Sequence, residues 1–129
     1  MLRSMNDLQP YPTWVEVDLA VIRKNLQRIK TLTKSAVMAV VKANAYGHGF
    51  LPVAQAAAAA GASWFGVARP RMALAMRQSG IDAKILILGY ISPERIQEML
   101  QNDVSLTAWT ADHIRQISQE ANKIEKTAR

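Results

Sequence analysis

Residues 36–42 read Ala36-Val37-Met38-Ala39-Val40-Val41-Lys42, six apolar residues without a break and then a lysine. A strand covered on both faces reads this way, because neither face meets water and the alternation of a half-exposed strand is lost. Three more such runs follow at Trp64–Ala68, Lys84–Leu88 and Val104–Trp109. The segments between them carry helix punctuation. Pro52–Ala60 has proline in its first turn and Gly61 at its stop, Arg71–Ser79 stops at Gly80, and Ser92 caps a helix with Pro93 at its first position. From Thr110 a last helix runs to the end with Ile114, Ile117, Ala121 and Ile124 on one stripe.

Upstream, Thr13–Val17 alternates Trp14 and Glu16 against Val15 and Val17, which predicts a short strand. Asp18 then offers an N-cap, and Leu19, Ile22, Leu26, Ile29 and Thr33 recur at helical spacing, so Asp18–Lys34 is expected to be an amphipathic helix. Residues 1–12, with Pro10 and Pro12, are expected to be a loose N-terminus.

Serial β-α units predict right-handed crossovers and a parallel sheet of the α/β class, doubly wound or part of a (β/α)8 TIM barrel. A full barrel takes about 250 residues, and 129 residues supply four such units. The expected architecture is therefore about half of a barrel over residues 13–129, preceded by the short N-terminal strand.

Half of the residues are hydrophobic, enough for a sizeable core. Sixteen Lys plus Arg against ten Asp plus Glu give a net charge of +6, with a pI near 10.0. Nucleic-acid binding would need that charge clustered with aromatic residues. Instead Arg23, Lys24, Arg28, Lys30 and Lys34 share one predicted helix, Arg69, Arg71 and Arg77 lie in or beside another, and the rest are scattered. They are read as solvated helix faces, with no nucleic-acid partner. The absence of cysteine excludes a disulfide framework, a Cys-based zinc site and thiol catalysis, and agrees with a reducing, cytoplasmic setting. Neither export nor a membrane span is expected: Met1–Pro12 has no apolar core, and the Ala-rich stretch Val53–Ala68 is interrupted by Gln55, Gly61 and Ser63.

Chemistry converges on Lys42. It stands at the C-terminal end of a buried strand, where α/β folds place their ligand sites. A desolvated amine there serves as nucleophile or base; the plainer alternative is a lysine whose stem lies along the strand edge with its charge in water. The loop that follows, Ala43-Asn44-Ala45-Tyr46-Gly47-His48-Gly49, is built of small residues that permit close approach to a ligand. Tyr46 offers a donor to a phosphate oxygen, or else packs under the loop with its hydroxyl in water. His48 reads as a hydrogen-bonding support and His113 as a surface residue. A dinucleotide fingerprint is rejected, because Pro52 occupies the third glycine position and no acid stands at a second strand end. There is no P-loop, no nucleophile-elbow serine and no metal-ligand cluster.

The stretch from Met38 to Gly49 resembles the pyridoxal-phosphate lysine motif of the alanine racemases, fold-type III enzymes. Thr13–Leu19 resembles that family's opening, Gly61–Ala68 its second strand and Ile85–Gly89 its third. The resemblance implies an amino-acid racemase interconverting L- and D-alanine, with pyridoxal 5'-phosphate in Schiff-base linkage to Lys42, the Tyr46 hydroxyl on its phosphate and Leu88 against its ring. Lys42 would then exchange the substrate α-proton on one face. Asn44 would brace the loop.

In the family, the base for the opposite face, the main phosphate loops and an arginine facing the pyridine nitrogen come from later barrel strands and a C-terminal β domain, which these four units do not supply. Where relatives carry acids after the second strand, this chain has Arg71 and Met72. A half barrel with two open edges is expected to self-associate or to pair with a complementing C-terminal half. The alternative is a folded fragment without chemistry of its own.

Overall fold

The computed structural model describes residues 13–128, so the loose N-terminus expected for residues 1–12 lies outside the described residues. The order of elements is α1 (Leu19–Thr33), β1 (Met38–Val40), α2 (Lys42–Tyr46), α3 (Phe50–Ala59), β2 (Trp64–Val67), α4 (Pro70–Gln78), β3 (Lys84–Ile87), α5 (Pro93–Gln101), β4 (Val104–Leu106) and α6 (Ala111–Lys123). The four strands form one parallel sheet in sequential order. This is the α/β half-barrel arrangement that the apolar runs predict.

Capping explains the helix bounds. Asp18 accepts hydrogen bonds from the amides of Ala20 at 2.7 Å and Val21 at 3.1 Å, starting α1. Lys34, left-handed at φ 53°, ends it by donating its N–H to the Lys30 carbonyl. Gly61 and Gly80, at φ +86° and +80°, follow the ends of α3 and α4. The helix predicted from Pro52 begins two residues earlier, at Phe50, with Pro52 in its first turn, where a missing N–H costs nothing.

In-register neighbours in a parallel sheet share a face, so Ala39, Phe65 and Ile85 point one way and Met38, Trp64 and Lys84 the other. The first face meets the helices. Phe65, Val67, Ile85 and Ile87 are fully buried there with Ala73, Met76, Ile96 and Met99, each large side chain contributing about 1.5–3 kcal/mol. The second face is open. Met38 and Val40 remain 37% exposed, and the Lys84 ammonium lies 5.2 Å from the Trp64 ring centroid. The strands are thus covered on one face only among the described residues, although their sequence reads as covered on both.

Two expectations are corrected. Thr13–Val17 forms no strand: the sheet contains no partner for it, and an unpaired strand leaves its backbone groups unsatisfied. The Trp14 indole instead donates to Glu16 at 3.0 Å. His113 is not on the surface but 2% exposed, while Ile114 is 56% exposed. Positions three and four residues before Ile117 both border its stripe, and the four-residue spacing prevails. The His113 Nε2 donates to the Ile91 carbonyl at 3.1 Å, its ring lies 4.8 Å from that of Tyr90, and its Nδ1 has no partner among the described residues. No described helix is long and apolar enough to cross a membrane.

Candidate active site at the end of the first strand

Val41 closes β1 on the helix side, 2% exposed, and donates its N–H to the Gly66 carbonyl at 2.9 Å. The next residue, Lys42, emerges at the C-terminal end of the sheet. Its side chain is exposed, so the burial expected for its amine is not supplied by the described residues.

The chain then makes one left-handed turn. Ala43, Asn44, Ala45 and Tyr46 all have φ between 51° and 55°, a conformation that costs a non-glycine residue about 1–2 kcal/mol. Hydrogen bonds hold the turn: Ala45 N–H to the Val41 carbonyl, Gly47 N–H to Ala43 and Asn44, and Gly49 N–H to Asn44 at 2.9 Å. The Asn44 Oδ1 accepts the Phe50 N–H at 2.8 Å, which caps α3 and braces the loop. His48 is a support, its Nδ1 2.9 Å from the Ala45 carbonyl. Gly47 and Gly49, at φ +89° and +95°, supply the two positive-φ steps that return the chain to a right-handed helix.

This turn folds Tyr46 back toward Lys42, leaving Nζ 5.9 Å from the ring centroid. Tyr46 is exposed, so its hydroxyl is available. Leu88 follows β3 at the same end of the sheet, two strands away. Its N–H bonds to the Val67 carbonyl at 2.8 Å. Its Cδ1 and the Val40 Cγ2 both lie 3.2 Å from where a Cβ on Gly66 would stand, so the two side chains close over the buried glycine. The structure therefore joins Lys42 and Tyr46 directly and places Leu88 across the same sheet end. An amine, a phenol and an apolar surface form a donor set suited to a lysine-linked aldehyde cofactor bearing a phosphate.

Sequence reasoning assigned Arg69 and Arg71 to a solvated helix face. Both are exposed, as expected, and both also line a cavity of about 390 Å³ between the Lys42 turn and α4, with Ala43, Asn44, Phe50 and Met72. The signal available in the sequence was their position, on either side of Pro70 directly beyond a strand's C-terminal end, where ligand chemistry gathers. No group of three or more metal-ligating side chains occurs among the described residues.

Sequential parallel strands with a lysine at the C-terminal end of the first define part of an α/β barrel with its chemistry on the C-terminal face. A family model described as the alanine racemase N-terminal domain matches residues 17–129, and the chain belongs to that family. It is 42% identical over 118 residues to an alanine racemase of Methanococcus maripaludis, covering 90% of this chain and 32% of that protein. The solved alanine racemase of Streptomyces coelicolor superposes with a TM-score of 0.81 at 33% identity, over 88% of this chain and 31% of that one. A histidine racemase of Leuconostoc mesenteroides superposes with a TM-score of 0.77 at 29% identity, over 85% of this chain and 30% of that one. The chain thus spans about a third of the length of the relatives it matches.

Proposed function

We propose that this chain carries the cofactor-binding lysine of a pyridoxal 5'-phosphate-dependent amino-acid racemase, with alanine as its substrate. The observation that carries the reading is the pairing of the exposed Lys42 amine with the Tyr46 phenol across the left-handed turn. Lys42 would hold the cofactor through its amine, Tyr46 would donate to its phosphate, and Leu88 would contact its ring. When bound, the cofactor supplies an electron sink for charge developing at the substrate α-carbon. Lys42 would remove or return the substrate α-proton on its own face. The base for the opposite face has no candidate beside this turn, so racemisation calls for residues beyond these four units. A protein named a histidine racemase shares this half-barrel architecture at 29% identity, so the architecture alone does not select alanine.

Borohydride reduction of a mixture of the chain with pyridoxal phosphate, followed by peptide mapping, tests the reading. A reduced adduct on Lys42, lost in Lys42→Ala, is expected; labelling spread over the surface lysines would overturn it. A second reading, a fragment active only with a separate C-terminal half, draws on the unpaired outer edges of β1 and β4. It predicts proton exchange into alanine in heavy water only when both halves are mixed.

A further inference from the structure

We propose that Arg69, Arg71 and Arg95 form a binding site for a small phosphorylated anion, beside the cavity that Arg69 and Arg71 share with the Lys42 turn. The three arginines line one open cavity of about 650 Å³ with Gly89 and Tyr90, above the C-terminal ends of β2 and β3. No acidic side chain lines it. Arg95 pairs through Nε with Glu98 at 2.6 Å, while Arg69 and Arg71 make no ion pair among the described residues.

A guanidinium does not deprotonate in a protein, so the lining carries two permanent positive charges without an ion-pair partner among the described residues, Arg69 and Arg71, and a third on Arg95 that Glu98 balances. They repel, and the start of α4 adds to the positive potential: its first turn holds no acid and its N-cap, Arg69, makes no side-chain capping bond. An anion in the cavity relieves that repulsion. Several planar forks around one cavity suit the tetrahedral, multiply charged oxygens of a phosphoryl group, whereas a single carboxylate occupies only one fork.

The cavity floor is backbone. A Cβ on Gly89 would fall 2.5 Å from the Ala68 carbonyl oxygen, so a glycine is required where the two strand ends converge. Tyr90 provides one wall and a further donor. Its ring is seated on His113 at 4.8 Å, and His113 is fixed by the Ile91 carbonyl, so that wall is held from below. None of these contacts involves Lys42, and the site stands whatever becomes of the racemase reading.

Inorganic pyrophosphate titrated into the protein is the probe, with calorimetry for affinity and amide NMR for location. One saturable site per chain is expected, with shifts at Arg69–Met72 and Gly89–Tyr90. Arg69→Ala and Arg95→Ala should each weaken binding roughly tenfold, whereas Lys42→Ala and Arg23→Ala on α1 leave it unchanged. Circular dichroism confirms that each variant folds, and the shift map of the unaltered protein tests the location independently. Shifts centred elsewhere, equal weakening by Arg23→Ala, tighter binding of citrate than of pyrophosphate, or no saturable binding would each overturn the proposal.

Discussion

The Lys42 ammonium lies 5.9 Å from the centroid of the Tyr46 ring, four residues along a turn of left-handed sense. At that distance the ring face attracts the cation by about 0.5–1 kcal/mol, so the amine is steered while it stays exposed. The phenol and the ring do different work. Tyr46→Phe keeps the aromatic face and removes the donor; it should preserve the reduced adduct on Lys42 but weaken retention of unreduced cofactor by roughly ten- to a hundredfold, the loss of one hydrogen bond to a charged group. Dialysis followed by absorbance checks retention, and peptide mapping checks the adduct.

The turn itself stores strain. Ala43 sits at φ 51° with an exposed side chain, and glycine adopts that conformation without the steric cost. Ala43→Gly should therefore raise stability by about 1 kcal/mol in urea denaturation while loosening the geometry that sets Lys42 against Tyr46. Ala43→Val, whose branched Cβ tolerates positive φ least, should lower stability.

How much of this was legible in the sequence depends on what each residue's position rests on. The apolar runs located all four strands, because burial against helices is a local property of Phe65, Ile85 and Val104. Their reading as strands covered on both faces fails on the open side, where Met38 and Val40 stay 37% exposed. The lysine, the phenol and the bracing asparagine stood in one motif. The left-handed turn did not show, since Ala43, Ala45 and Tyr46 carry no positive-φ signature and are held there by hydrogen bonds to Val41 and Asn44. The strand expected at Thr13–Val17 had the right alternation and no neighbour, and pairing is not written in a single strand. His113 was misplaced because a helical stripe leaves its border residues ambiguous by one position.

Arg77 ties the opposite, N-terminal end of the sheet. Its guanidinium donates to the carbonyls of Ile81 at 2.6 Å, Ala83 at 2.8 Å, Asn102 at 3.0 Å and Asp103 at 3.0 Å, joining the segments that lead into β3 and β4. Arg77→Met removes all four and leaves the carbonyls to water, a loss of about 2–3 kcal/mol. Arg77→Lys should recover less than half, because an ammonium cannot span four acceptors as a planar fork does. Urea midpoints check both.

Acid should loosen the α5–α6 pair. The Lys123 ammonium at 2.5 Å, and then the Gln97 amide at 2.7 Å, hold the Glu120 carboxyl below its ordinary value of 4.5. A carboxyl lowered in the folded state binds protons less readily than in the unfolded state. Its contribution is therefore complete above pH 4.5 and is lost as pH falls through the lowered folded value. Glu94, lowered by the Ser92 hydroxyl and its own backbone amide, acts in the same direction. Glu120→Gln should be less stable than the unaltered chain at pH 7 and lose less on going to pH 3, as read from urea midpoints.

Among the described residues the outer edges of β1 and β4 present unpaired backbone groups, and both strands are short. Short edges lower the hazard without removing it, because Met38 and Val40 add exposed apolar surface on the open face beside one of them. Parallel strands of one direction leave edges of opposite kind, so the β4 edge of one copy matches the β1 edge of another. Light scattering should show a mass rising above 14.3 kDa with concentration. Val40→Lys, which places a charge on the open face without altering the helix side, should shift that rise to higher concentration. A mass fixed at 14.3 kDa throughout would mean that the edges are shielded within a single chain.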